Sequence, residues 1–496
     1  MKNIIIDCFA GGGGASVGIE MALGRQVDIA INHSPEAIAM HSKNHPNTLH
    51  LTEDIFSVNL KKYVKGKHVA LLWASPDCTS HSKAKGGKPR KKGLRILPWA
   101  VYKHAKQILP DVIIMENVEE IQQWGPLDEE GHPIPEKKGE DYKKFISSMM
   151  NLGYEFDSRE LVAADYGAPT IRKRWYAIFR RDGKPIVWPE PTHSKGGVNG
   201  LKPWVPVYTV LNFTDLGKSI FGRKKSLAEN TLKRIARGLK KFVIENPDPF
   251  VFRVEKEELN SYLIQVNHGG EFRGQDMRSP LPTITQKHGF GIVTPEIVPV
   301  NESNKQGEIF SFLTKFYKSG TGQSMFEPIH TITTSPGHFG QVSVLAIKAT
   351  DLMKNGISAE TAQKCTWVSQ FIIEYYGCGT GQTLNDPLHT IVTKERFALI
   401  TVLGNEYVIM DIFLRMLTAE ELKLAQGFPA DYIIKFDCNG KAYPVKEQVA
   451  RIGNSVVPVM AQALVTANCG YLKVGERMPN ITVETLFVNN GQYSFA

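Results

Sequence analysis

Over the first 180 residues, short β-branched runs alternate with longer amphipathic stretches, and few folds accommodate that alternation. The runs fall at 3–7, 27–31, 68–74, 112–116 and 175–179, and the amphipathic stretches at 15–23, 35–44, 97–109 and 142–152. Parallel strands need helix-length crossovers, so the pattern predicts an α/β fold with an open, doubly wound, mostly parallel sheet. Ligands of such sheets bind beyond the carboxyl ends of the strands, so chemistry is expected in the residues that follow each run. Composition removes other classes: 42% hydrophobic and 22% charged residues describe an ordinary globular chain, neither disordered nor fibrous. No apolar run approaches the roughly 18 residues of a membrane span, and the first is cut short by Asp7, which argues against a signal peptide. A cytoplasmic protein with no membrane partner is therefore expected. The 59 Lys and Arg against 50 Asp and Glu leave a net charge of +9, which favours a polyanionic partner, with nucleic acid the first candidate. The cysteines, Cys8, Cys78, Cys365, Cys378, Cys438 and Cys469, form no C-x-x-C pair. Neither a metal site nor a disulfide framework is expected.

Between 184 and 206 the texture changes to prolines and glycines without periodicity, as in a linker. The stretch 226–243 restarts as a helix made basic by Lys233, Arg234, Arg237, Lys240 and Lys241, either a solvated face or one turned to phosphates. An internal repeat follows. Gly269 and Gly270 precede Pro282-Thr283-Ile284-Thr285, Gly320-Thr321-Gly322-Gln323 precedes His330-Thr331-Ile332-Thr333, and Gly379-Thr380-Gly381-Gln382 precedes His389-Thr390-Ile391. Each copy ends in a second apolar strand, such as 342–347 or 397–402, so the region reads as related hairpin units of one β-rich domain. Structural duplication and recognition surface both remain open at this point.

Four segments after the runs carry chemistry. Asp7-Cys8-Phe9-Ala10-Gly11-Gly12-Gly13-Gly14 ends the first strand and opens the first helix, where glycines let a ligand approach the backbone and N–H groups face it. Asn32-His33 after the second run offers no carboxylate of the kind a dinucleotide site would use, yet NAD and S-adenosylmethionine both stay open. Ser75-Pro76-Asp77-Cys78-Thr79 is trailed by Lys83, Lys85, Lys88, Arg90, Lys91, Lys92 and Arg95. A thiol beside so much positive charge has its thiolate favoured, and a Gly/Lys loop of this length suits a flap closing on phosphates. Glu116-Asn117-Val118 sets a carboxyl at the end of a buried run, partly desolvated and suited to donating a proton or hydrogen bond. Arg172 and Arg174, at i and i+2 of an extended segment, are expected to point the same way, each with a fixed fork of donors.

Taken in order, D-x-F-x-G-G-G-G, S-P-D-C, E-N-V and R-x-R resemble the DNA (cytosine-5) methyltransferases of phage and bacterial type. Arg415-Met416-Leu417-Thr418-Ala419-Glu420-Glu421 through Pro429 and Gln448 through Gly453-Asn454-Ser455-Val456-Val457-Pro458 are similar to that family's last two motifs. The resemblance covers 1–180 and 411–468 and implies a Rossmann-like S-adenosylmethionine-dependent methyltransferase fold. It implies a catalytic domain whose first part is 1–189, an inserted β-rich target-recognition domain at 190–410, and a return at 411–496. It also implies that Cys78 attacks C6 of a cytosine flipped from duplex DNA, Glu116 binds its N3 and N4 edge, and Arg174 with Arg172 holds the O2 side. For the cofactor, S-adenosyl-L-methionine, it implies Phe9, Gly11 and Gly13 at the turn, Asp54 on the adenine amino group, and Asn454 with Ser455 at the methionine end. Asn454 can meet Gly11 only if the last helix packs back on the first strands. The chain departs from the family at Asp77 and Thr79 beside the nucleophile, at His33 where a ribose-binding acid is usual, and at Thr170. Double-stranded DNA is the partner this implies, for a monomer in a bacterial host cytoplasm, with a cognate restriction enzyme as a further partner such a protein could have. The rivals are a tRNA cytosine-5 methyltransferase, a DNA-binding protein with an impaired catalytic domain, and a nicotinamide-dependent oxidoreductase.

Overall fold

Alternate residues of the buried strands feed two separate cores, the arrangement of a sheet covered on both faces. The structure is a computed structural model that describes residues 3–77, 95–212, 217–244 and 405–480. It also describes the short segments 250–251, 262–265, 290–293, 308–315, 329–330, 339–348, 399–402, 487–488 and 492–493. Two compact units result, the first made of Met1–Ala168, Arg172–Pro203 and Gln426–Ala496 and the second of Pro169–Ile171 and Trp204–Ala425.

The first unit runs β1 (Ile4–Cys8), α1 (Gly14–Leu23), β2 (Ile29–Ile31), α2 (Pro35–Asn44), β3 (Leu49–Leu51), α3 (Leu60–Val64), β4 (Val69–Ala74), α4 (Leu97–Ile108), β5 (Val112–Asn117), α5 (Glu140–Met150), β6 (Glu155–Val162) and β7 (Lys173–Arg180). Its strands form one seven-stranded sheet in the order β3-β2-β1-β4-β5-β7-β6. β7 runs antiparallel to both its neighbours while the pairs among β1 to β5 are parallel, so the sheet is mostly parallel. Ile4, Ile6, Leu72, Ile113 and Met115 face a core with Val101 of α4 and Phe145 of α5. Ile5, Leu71, Trp73 and Ile114 face the other, filled by Ile19 of α1 and by Met460, Leu464 and Val465 of the C-terminal helix Pro458–Cys469. Both faces are therefore wound, as the alternation predicted. Residues 190–203 belong to this unit because Thr192 N–H donates to the Asp165 carbonyl at 2.9 Å and His193–Ser194 pairs with Lys202–Pro203.

The described stretch Val445–Leu472 is apolar and long enough to cross a membrane by length and composition, which corrects the expectation that no run approaches a span. In the fold it is two helices, Val445–Asn454 and Pro458–Cys469, broken at the extended Ser455. Met460, Leu464 and Val465 are fully buried core residues of a folded domain.

Among the described residues, the second unit is built on a mixed eight-stranded sheet. Its longest strands, Phe339–Lys348 and Asn405–Met416, are antiparallel, with Val342 opposite Leu414. The strand Asn405–Met416 is paired along its length in this sheet, and the unit runs on to Ala425. The basic helix appears as Glu229–Leu239 and continues as wider π-type turns to Ile244, with Thr231, Arg234 and Ile235 buried and Lys233 and Arg237 exposed. Arg415 binds both carboxylate oxygens of Glu421, at 2.8 and 3.0 Å, and Glu421 also accepts from Thr418 N–H at 2.8 Å. The repeat's Gly-rich turns lie outside the described residues, although its second strands are seen at Phe339–Lys348 and Leu399–Val402.

Candidate active site

The chain order along the sheet reverses at β1 and β4: β1 leads outward to β2 on one side, and β4 lies on the other. A crevice beyond the carboxyl ends is expected at such a switch point. Register fixes what meets there. Cys8 pairs with Ala74, Ala74 with Met115, and Glu116 and Asn117 with Tyr176 and Trp175, so all four sequence segments emerge at the same end of the sheet's central strands. Ser75 N–H reaches the Cys8 carbonyl at 3.3 Å and Ser75 Oγ accepts from Trp73 Nε1–H at 2.8 Å. Asn117 Nδ2–H donates to the Pro76 carbonyl at 3.0 Å from a buried position. Sequence reading gave Asn117 no role, yet it anchors the turn two residues before Cys78. Cys78 itself, with Thr79 and the basic residues through Lys92, lies outside the described residues.

Glu116 and Arg174 pair, Oε1 to Nε, at 3.2 Å, with side chains 9% and 12% exposed. Two ions so nearly removed from water must be matched by each other or by a ligand. Arg172 behaves differently from its i+2 neighbour: it is buried, and its Nη1–H donates to the Gly453 carbonyl at 3.0 Å. The two arginines thus differ in partner, while both of their charges act on the buried Tyr176 hydroxyl. Thr170 is buried and pairs with Ile329 inside the second unit.

On the other side of the switch the glycine turn is held open towards solvent and closed behind. Phe9 and Gly13 have positive φ, 68° and 83°, the latter as the residue preceding α1, whose N-terminus has no side-chain cap. A Cβ on Gly11 would meet only the Phe9 carbonyl, at 3.6 Å, so that side has room for a ligand, whereas one on Gly12 would lie 2.5 Å from Ser455 Oγ. The last motif therefore does pack against the first strand's turn, although the two lie near opposite ends of the sequence. Ser455 Oγ–H donates to the Arg451 carbonyl at 2.7 Å, the Ser455 carbonyl accepts from Gln426 Nε2–H at 3.1 Å, and Asn454 is exposed. Asp54, after β3, is exposed, with Oδ1 accepting from Phe56 N–H at 2.8 Å. Exposed His33 follows β2 between them, so the turn, His33 and Asp54 stand after adjacent strands.

Behind the turn lies a buried polar chain that sequence reading missed. Asp7, with no exposure, accepts from Ser16 Oγ–H at 2.7 Å, His41 Nε2 lies 3.0 Å from that oxygen, and His50 Nε2 lies 2.8 Å from His41 Nδ1. Burial pushes the Asp7 carboxyl up to about 7, against the Ser16 hydrogen bonds that lower it. Burial, then the neighbouring His45 and His50, holds His41 well below the usual imidazole range. Burial also raises the Cys8 thiol, with the Asp7 charge adding to it, so Cys8 is an inert core residue.

The model of the C-5 cytosine-specific DNA methylase family matches residues 4–260. A Type II methyltransferase of Picosynechococcus sp. is 28% identical over 208 residues, 39% of this chain and 78% of that protein. One of Haemophilus parahaemolyticus is 27% identical over 208 residues, 39% of this chain and 50% of that protein. One of Streptomyces achromogenes is 26% identical over 239 residues, 44% and 57% respectively. The chain thus spans about half the length of the last two relatives.

Proposed function

The chain belongs to the C-5 cytosine-specific DNA methylase family, and from that premise we propose that it transfers a methyl group to C5 of a cytosine in a specific duplex DNA sequence. The Glu116–Arg174 pair, set beside the turn that Asn117 holds, carries this reading. Cys78 Sγ adds to C6 of the flipped base, and the C5–C6 π pair becomes available at C5. Glu116 meets the N3 and N4 edge and supports protonation at N3, which lowers the energy of the adduct, while Arg174 faces O2. Arg172, tied to Gly453, orients the helix end that carries Asn454. Loss of the C5 proton and expulsion of Cys78 then restore the aromatic ring. The basic loop after Cys78 closes over the extruded base and excludes water.

S-adenosylmethionine, when bound, supplies the electrophilic methyl. The open side of Gly11 and the uncapped N-terminus of α1 suit its carboxylate. Phe9, Gly11 and Gly13 line its place, Asp54 receives the adenine amino group, Asn454 reaches the methionine end, and Ser455 holds the helix end against Gly12. The β-rich second unit reads the target in the major groove, and the exposed Lys233 and Arg237 touch phosphates. A monomer on double-stranded DNA in a bacterial cytoplasm, with a cognate restriction enzyme, fits the Type II relatives.

Tritiated S-adenosylmethionine offered with duplex DNA and with tRNA tests the reading. Label is expected in acid-stable 5-methylcytosine of the duplex and not in tRNA. Label confined to tRNA would transfer the chemistry to another substrate, and none in either would remove the assignment.

A further inference from the structure

The buried chain behind the glycine turn has one consistent direction when Asp7 is ionised. Ser16 O–H donates to Asp7 Oδ2, so Ser16 Oγ must accept from His41 Nε2–H. A neutral His41 then has only a lone pair at Nδ1, which accepts from His50 Nε2–H. With Asp7 ionised, the tautomer of a buried imidazole is set by three bonds in series. The polar groups around the ring come from several parts of the domain. Asp7 lies in β1, Ser16 and Glu20 belong to α1, His45 follows α2, His50 lies in β3, and Tyr432 comes from the segment before the C-terminal helices. His45 Nδ1 lies 3.2 Å from Glu20 Oε2, and its ring centre 4.4 Å from that of His41.

The same groups form the back wall of the turn. A Cβ on Gly13 would lie 3.4 Å from His41 Cδ2 and 2.1 Å from Tyr432 Oη, and Tyr432 O–H donates to the Gly12 carbonyl at 2.9 Å. Ser16 sits in the first turn of α1, whose N-terminus opens on the ligand side. The imidazole therefore bears on the first turn of α1 through Ser16, and Gly13 directly precedes that turn.

We infer that His41 is a positioning residue for the methyl donor: through Ser16 and Asp7 its ring holds Gly13 and the first turn of α1 in the geometry that receives S-adenosylmethionine. The affinity for that molecule then depends on this hydrogen-bond chain, and not simply on the stability of the domain. The inference rests on the reading of the turn as the donor's site.

Titration calorimetry of the full chain with S-adenosylmethionine separates the two, using wild type, Ser16→Ala, His41→Leu, His41→Gln and Val101→Ala. Ser16→Ala and His41→Leu are expected to raise Kd about tenfold, the effect of losing one buried hydrogen bond. His41→Gln can still donate to Ser16 and should stay within about threefold. Val101 packs in the core of the opposite sheet face, so Val101→Ala should lower the melting temperature and leave Kd unchanged. If His41→Leu does not fold, Ser16→Ala carries the test, since it removes one oxygen and little volume. A Kd for Ser16→Ala within about twofold of wild type, or an equal loss in Val101→Ala, overturns the inference alone. A wild-type chain that binds no S-adenosylmethionine overturns the donor site itself and the inference with it.

Discussion

Glu116→Gln is expected to cut the single-turnover methylation rate by about 10²–10⁴-fold, the usual loss when a positioned proton donor is removed, while duplex binding changes little. Glutamine keeps the shape and can still offer an oxygen to N4, but it cannot do what the carboxylate does when the base enters, which is to take a proton from solvent and pass it to N3. The adduct on C6 then carries its charge unneutralised. Arg174 makes the outcome sharper, because its guanidinium is only 12% exposed and meets Glu116 at 3.2 Å. Removing the carboxylate's charge leaves a cation with little water around it. Rapid-quench methylation and a gel-shift titration check both parts. A rate within tenfold of wild type would take Glu116 out of the chemistry.

Gly14→Ala carries the second large effect, this time on the fold. A Cβ there would stand 2.0 Å from the Val456 carbonyl oxygen and 3.0 Å from its carbon, and both belong to backbone. A flexible side chain could swing away, whereas this contact lets α1 and the C-terminal segment separate only together. Overpacking of this kind costs about 1–3 kcal/mol where atoms can adjust, and the upper end or more is expected here. For a domain of this size that is a drop in melting temperature of about 5 °C or more, with the donor turn displaced as well. Thermal unfolding followed by circular dichroism measures it. A variant melting within about 1 °C of wild type would show that the two segments do not meet as described.

The catalytic side of the site was legible in sequence because each chemical residue directly follows an apolar run, and the strand's end fixes where it emerges. β3 and β6 escaped for physical reasons. Leu49–Leu51 is three residues long and half exposed at the sheet edge, and the opposite edge strand Glu155–Val162 reads E-F-D-S-R-E-L-V, polar along most of its length. Neither carries the apolar periodicity from which strands are recognised. The Arg172 bond to the Gly453 carbonyl was not legible, because its partner lies 281 positions away in sequence. The Asp7–Ser16–His41–His50 chain could not be read at all. Its bonds join residues 9, 25 and 9 positions apart, without a motif, and only the folding of α2 against α1 brings them together.

Everything proposed for the chemistry depends on a bond between one sulfur and a pyrimidine ring. An oligonucleotide duplex carrying 5-fluorocytosine at the methylated site tests this most directly, because fluorine cannot leave as a proton does and the adduct is trapped after methyl transfer. Mass spectrometry of the digested complex should find the nucleotide and one added methyl on the peptide containing Cys78, and Cys78→Ser should give none. An active preparation that methylates its own site yet yields no adduct, or yields one on another residue, would contradict the account.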